Sequence, residues 1–335
     1  MRNVGDSPEA HHTNERGAAL LTVLLLVAVM SVVAAASLEK LTVATRLSAN
    51  AASMDQARAY VTAASLLAEA RLAQLVKAQP GRVSLKGGWL GKPQTLPVPE
   101  GTASITPQDG GNCFNLNSLV SGSSEQATAV RPIAVEQFTT LMQLLGVPSG
   151  KARGIAASAS DWIDSDSTPQ TGGAEDEVYL AAAAPYRAPN RLMFDKSELR
   201  AVAGVTPAIY NLLDPWICAL PVTDLSPLNV NTLLPAQAPL FAMLMGGKLS
   251  LDQARSMLAA RPEDGYGSTY SFWAVPALKA VTPPAEVEQQ VRVTTRWFGA
   301  KLDVDLGAIH LRRWALYDAQ SEKVKLVRMT AGGSL

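Results

Sequence analysis

The chain has 335 residues, with 29 Lys and Arg against 29 Asp and Glu, three His and two Cys. A net charge of zero with no basic run argues against a nucleic-acid partner, and two distant thiols make no zinc site of the C-x-x-C kind. The apolar share of 47% is ample for a core, and the length exceeds that of a typical single domain.

From Ala18 to Gln79 neither Pro nor Gly occurs. The stretch starts apolar at Ala18–Leu38, directly behind Arg16-Gly17, and turns amphipathic from Glu39. About 21 residues at 1.5 Å each span roughly 31 Å, enough to cross a bilayer core. Three readings fit. One is a secretory signal cut after Ala34-Ala35-Ala36, with the mature chain starting at Ser37. The second is a plain single-span anchor. The third is a prepilin leader, residues 1–17, cut between Gly17 and Ala18, which leaves the apolar helix on the mature protein. Losing residues 1–17 removes two basic and three acidic residues and shifts the net charge from 0 to +1. Beyond the apolar span, Leu47, Met54, Val61, Ala68 and Leu75 recur every seven residues, with Ala51, Ala57, Ala64 and Leu72 on the same side. That is one apolar stripe on a long helix, made to pack on a sheet or on neighbouring subunits.

Residues 80–108 are rich in Pro and Gly, with short alternating pieces at Arg82–Leu85 and Thr102–Thr106 that read as strands between loops. Residues 112–285 read as short helices: Val135–Leu145, Ala152–Ile163, Ser197–Val202, Pro207–Leu213, Ala236–Met245 and Ser250–Ala260. From Val291 to Thr330, β-branched and aromatic residues alternate as in strands. Strand signals on both sides of a helical block indicate an insertion. The fold class is α+β: a long N-terminal helix on a small antiparallel sheet, built from residues 39–111 and 286–335, with a helical domain inserted at 112–285.

Within the insertion, an Asn-x-Asn pair precedes a helix twice, at Asn115–Asn117 and Asn229–Asn231. Asn side chains there satisfy free backbone N–H groups, and the repetition points to two small helical subdomains. A helix-hairpin-helix DNA module would need a Gly-rich hairpin and phosphate-binding cations, which Gly246-Gly247-Lys248 does not supply. Cys113 and Cys218 can pair in an oxidising compartment, closing a loop that stabilises by roughly 4–5 kcal/mol on the chain-entropy model. Two buried free thiols are the other reading.

Asp161–Glu177 holds six carboxylates and no Lys or Arg. Asp161 and Asp164 share a helix face, Asp166 sits in a Ser-Asp-Ser-Thr-Pro loop, and Glu175-Asp176-Glu177 follows Gly172-Gly173. Calcium takes six to eight oxygens from a bendable loop of this kind. A solvated acidic loop is the plain alternative, and a paired-carboxylate hydrolase a third. The EF-hand pattern is absent, as are G-x-S-x-G, Walker A and dinucleotide-binding glycines. His11 and His12 precede the apolar span, which leaves His310 for the body, so the chain does not read as an enzyme.

CFNLN at 113–117, DWIDSDSTPQTGGAEDEVY at 161–179, APYRAPNRLM at 184–193, SELRAV at 197–202, ICALP at 217–221 and LNVNT at 228–232 resemble the minor pseudopilin K family of the type II (general) secretion pathway. Together with Arg16-Gly17-Ala18 they run through most of the chain, more weakly at 80–108 and after 285. The resemblance implies a pilin-like domain carrying an inserted helical domain, anchored as a single pass in the inner membrane with its body in the periplasm. It implies the prepilin peptidase, the minor pseudopilins I and J, with H as a further candidate, and the major pseudopilin filament as partners. It also implies bound calcium, with Asp164, Asp166, Glu175 and Asp176 as ligands and Asp161 and Glu177 as secondary candidates. Pilins at large carry Glu at mature position five, where it neutralises a neighbour's terminal amine. Here that place holds Thr22. A carboxylate in lipid is expensive unless paired, so its lack fits a subunit with no neighbour above it, at the filament tip. Readings outside this family are a membrane-anchored hydrolase using the acidic cluster and a secreted periplasmic binding protein.

Overall fold

The computed structural model describes residues 12–122, 127–278, 283–320 and 323–331. Two compact units divide the chain, residues 1–58 and 59–335. A single helix, α1 (His12–Ala78), runs through the first and into the second. In the first unit its residues 17–52 are all exposed, and the apolar window has the length and composition to cross a membrane.

In the second unit α1 continues from Ala59, followed by β1 (Gln94–Val98) and β2 (Gly101–Asp109). The helical block then runs through β3 (Phe114–Asn115), β4 (Val120–Gly122), β5 (Thr128–Val130), α2 (Pro132–Leu144), α3 (Ser149–Asp161), α4 (Asp176–Leu180), α5 (Pro207–Leu213) and β6 (Ile217–Cys218). It continues with β7 (Leu228–Asn229), α6 (Ala238–Leu244), α7 (Leu251–Ala259), α8 (Thr269–Trp273), α9 (Ala285–Gln290) and β8 (Val291–Arg292). The chain returns through β9 (Trp297–Leu306), β10 (Ile309–Asp318) and β11 (Lys325–Thr330).

The sheet is antiparallel in the order β1-β2-β9-β10-β11, so the insertion interrupts it between two adjacent strands. Strand β9 alternates as the pattern requires: Leu302, Val304 and Leu306 are buried, Lys301, Asp303 and Asp305 are not. Val61, Ala64, Ala68 and Leu72 of α1 are buried. The Tyr317 hydroxyl of β10 lies 3.0 Å from the Ser65 hydroxyl and donates to the Ser65 carbonyl at 3.1 Å. The C-terminal half of the sequence-derived stripe is therefore core, whereas Leu47 and Ala51 are exposed.

Three boundaries differ from the sequence reading. Arg82–Leu85 is a loop rather than a strand. Pro80-Gly81 and Gly87-Gly88 bracket it, and its one strand-like bond runs from Val83 N–H to the Val293 carbonyl (2.7 Å). Strand β1 instead falls at Gln94–Val98. Its Pro97 hides it from propensity, yet Pro is tolerated on the edge strand it forms. Residues 286–293 pack with the helical block, where Val287, Val291 and Val293 join the main core and β8 pairs in parallel with β7. Alternation in a sequence says that a strand forms, not which strand it joins.

The block is a tandem duplication, with β3 pairing β6 and β7 pairing β8, both parallel. In the first copy the Asn115 side chain accepts from Asn117 N–H (3.2 Å); in the second, Asn229 accepts from Asn231 N–H (2.9 Å). The second Asn of each pair then clasps a distant backbone. Asn117 donates to the Met193 carbonyl (2.9 Å) and accepts from Met193 N–H (2.7 Å). Asn231 does the same with Tyr266 at 2.9 and 2.7 Å. Two residues beyond each clasp a capping box opens the next helix, at Asp195–Glu198 and Ser268–Ser271. The copies diverge between their second helix and the clasp: 260–265 in the second copy, 162–192 in the first. The longer segment carries the acidic residues.

Candidate metal centre

The acidic segment starts where α3 ends. Asp161 is fully buried, and its carboxylate accepts from the N–H of Gln170 (3.1 Å) and Ala174 (2.8 Å). It thereby folds the segment back on itself. Glycine is required at 173, because a Cβ there would sit 1.9 Å from Asp161 Oδ2. Ser165 ties the segment to β5, donating to the Thr128 carbonyl (2.9 Å) and accepting from Thr128 N–H (3.1 Å). Asn190 closes the far end by donating to the Asp166 carbonyl (2.8 Å).

This folding brings Asp164, Asp166 and Glu175 together, with one carboxylate oxygen of each within 4.8 Å of the others. Asp164 is fully buried and Glu175 is 5% exposed, and none of their four carboxylate oxygens has a hydrogen-bond partner. Buried carboxylates without donors are costly as anions. Burial, followed by the like charges of Asp166, Asp161 and Glu175, pushes Asp164 up to about 7. Burial, followed by Asp161 and Asp166, does the same to Glu175. Asp161 is also raised by burial, against the pull of its two backbone donors.

The other acidic residues are placed differently. Asp176 forms an ion pair with Arg187 and accepts from Ala188 N–H (3.0 Å), so its oxygens are engaged. Glu177 is exposed in the first turn of α4. Asp161 acts on the backbone of the segment rather than within the cluster. The supporting residues Gly173, Ser165 and Asn190 carried no sequence signal beyond the Gly-Gly pair. Trp162 and Tyr179 wall the segment, with ring centroids 5.2 Å apart, and Tyr186 meets Trp162 edge-on and Tyr179 at a tilt.

Oxygens this close suit a hard cation. Calcium at 2.3–2.6 Å from each ligand holds oxygens up to about 5 Å apart, and a divalent charge offsets the buried carboxylates. The donor set, all oxygen and partly orphaned, therefore fits calcium. Elsewhere, Cys113 and Cys218 form a disulfide with Cα atoms 5.8 Å apart. It packs with Leu220, Trp297 and Leu316 where the first helical copy meets the sheet. Gly17 and Ala18 lie within α1, exposed.

These features define a class: an α+β protein with, among the described residues, one helix long enough to anchor it in a membrane, and a duplicated helical insertion bearing a cluster of carboxylates. Family profiles described as type II secretion system (T2SS), protein K, match residues 112–222 and 228–294. The two matched segments coincide with the two structural copies. The chain is 33% identical over 96% of its length to type II secretion system protein K of Pectobacterium carotovorum, covering 98% of that protein. It is 34% identical over 95% of its length to protein K of Klebsiella pneumoniae, covering 97%. A chain in the crystal structure of the GspK-GspI-GspJ complex of enterotoxigenic Escherichia coli superposes with a TM-score of 0.73 at 31% identity, covering 84% of this chain and 97% of that one. The protein belongs to the type II secretion system protein K family, and the expectation of a minor pseudopilin stands.

Proposed function

We propose that this protein is the tip subunit of the periplasmic pseudopilus, where it initiates or caps assembly with the minor pseudopilins I and J for export of folded proteins. The observation that carries this reading is the near-complete superposition on a chain solved within a GspK-GspI-GspJ complex. The helical insertion supports it physically. It projects from between two adjacent sheet strands and would obstruct packing inside a filament, but not at its end. Thr22 supports it too, since its hydroxyl bonds to the Ala19 carbonyl (2.8 Å) of its own helix and offers no charge to a neighbour's amine.

In this account prepilin peptidase cuts between Gly17 and Ala18. The apolar helix stays in the inner membrane as a single pass, and the body lies in the periplasm, where the disulfide persists. H and the major pseudopilin follow below the tip. The role is assembly rather than catalysis.

Calcium belongs to the same proposal, with Asp164, Asp166 and Glu175 as its carboxylate ligands. The ion would supply the missing counter-charge and hold residues 162–192 in one conformation. Asp176 and Glu177 lie at the margin of this set, and Asp161 shapes the segment from behind.

The test of processing is intact and N-terminal peptide mass spectrometry after co-expression with a prepilin peptidase. A mature chain starting at Ala18 with a methylated amine is expected. A chain starting at Ser37 would overturn the reading in favour of a secreted protein, and an uncut Met1 would leave a plain anchor.

A further inference from the structure

A second polar site is lined by other residues than the acidic cluster. Four parts of the fold converge there: Arg131 ahead of α2, Asp224 in the link between the copies, Glu286–Arg292 of α9 and β8, and Arg296-Trp297 at the return to the sheet. They enclose a cleft of about 390 Å³.

The three guanidinium groups are not equivalent. Arg296 is held in place by Asp318, which accepts from Nε and Nη2 at 3.1 Å each, and by the Trp297 ring 4.6 Å away. Its Nη1 lies 3.5 Å from Asp224, so that carboxylate is engaged as well. Arg131 and Arg292 line the same cleft, and neither side chain has an acceptor among the described residues. Arg131 is half-buried, and burial lowers its pKa against the attraction of Asp224 and Glu286. A guanidinium fork that gives up water without gaining an acceptor forgoes its strongest available bond, the bidentate one to a carboxylate. With Asp318 behind Arg296 the cations and anions of the site number three each, so what the cleft offers a carboxylate is two guanidinium groups without an acceptor rather than a net charge.

We propose that this cleft binds a carboxylate side chain on an extended acidic segment of a partner protein, with Arg131 and Arg292 as the recognising pair. A segment rather than a free acid is indicated by the volume, which exceeds that of one carboxylate. The exposed Gln289 amide and Thr294 hydroxyl, both on the rim, can serve a peptide backbone. The site is independent of the acidic cluster and of the tip-assembly reading, and its test needs neither.

The experiment titrates the full-length chain in detergent, with calcium present, with an acetylated and amidated Gly-Glu-Glu-Gly peptide by calorimetry. A dissociation constant of about 1 mM is expected for so few contacts. The matching Gly-Gln-Gln-Gly peptide should not bind, and raising the salt should weaken the Glu peptide. Arg131→Gln together with Arg292→Gln should weaken binding by about tenfold or more. Arg292→Gln alone, at an exposed position that folding does not need, should weaken it by about threefold. No binding of the Glu peptide, equal binding of both peptides, unchanged binding in the Arg292→Gln protein, or tighter binding of inorganic phosphate than of the peptide would each overturn the proposal.

Discussion

Asn117 and Asn231 hold equivalent positions in two copies of one helical unit, each clasping a distant backbone through both atoms of its amide. Only the clasp of Asn117, on Met193, closes a segment that carries the carboxylate cluster. Asn117→Ala and Asn231→Ala should each destabilise the body by about 2–4 kcal/mol, the first more, since it leaves three buried backbone groups on Met193 and Leu220 without partners and the second two part-buried ones on Tyr266. The first should also weaken calcium binding, whereas the second should leave it unchanged. Paired thermal melts and calcium titrations check this, and equal calcium affinities in the two variants would disconnect the clasp from the cluster.

The carboxylate cluster makes a prediction of opposite sign with and without metal. Saturating calcium at about 100 times its dissociation constant adds roughly 2.7 kcal/mol, or a rise of about 5–10 °C in Tm for a body of this size. Asp164→Asn together with Glu175→Gln should abolish that rise. In chelator the same variant should melt no lower than the parent, because neutral amides replace buried charge that lacks donors. A calcium shift equal to the parent's would place the ion elsewhere.

The pH dependence of the metal-free protein follows from the same residues. The folded state holds protons on Asp164 and Glu175 up to about pH 7, while the unfolded chain releases them near pH 4. Between those values the folded state binds more protons, so stability falls as pH rises from about 4 to 7. In chelator Tm should therefore be higher at pH 5 than at pH 8. With calcium the order should reverse, because protons compete for the ligands. Burial raises Asp303, but its bonds to Arg312 and Lys301 outweigh that and lower it, so it acts below this window. A chelated protein more stable at pH 8 would contradict the orphaned state of the two carboxylates.

Gly173→Ala drives a methyl group into Asp161 and should lower both stability and calcium affinity. Gly154→Ala is the matched control. It lies within α3, where a Cβ meets only the Gly172 carbonyl at an ordinary 3.6 Å, and should stabilise by about 0.5–1 kcal/mol. Circular-dichroism melts of the two proteins decide it, and similar losses in both would argue against the Asp161 fold-back.

Much of this was legible in the sequence because the signals are local. The apolar span, the helices of the insertion, the alternation of β9 and β10, and the Asn-x-Asn pairs all repeat at the period of their element. The acidic segment was legible as composition, and the three residues the fold brings together, Asp164, Asp166 and Glu175, were among those named. The division of labour was not legible. Asp161 bonds backbone, Asp176 is engaged by Arg187, and the choice between them and Glu175 is made by tertiary folding. Strand β1 escaped through Pro97. The β7–β8 pairing escaped because partner choice over so long a separation leaves no local trace. The Arg131–Arg292 cleft draws its residues from distant parts of the chain, each unremarked alone.

The most direct test of the account is co-expression of the full chain with the I and J pseudopilins of the same genome, purification in detergent through a tag on this chain, and determination of mass and composition. An equimolar complex of the three is predicted, stable through size exclusion. Recovery of this chain alone, with I and J associating without it, would contradict the tip-subunit reading.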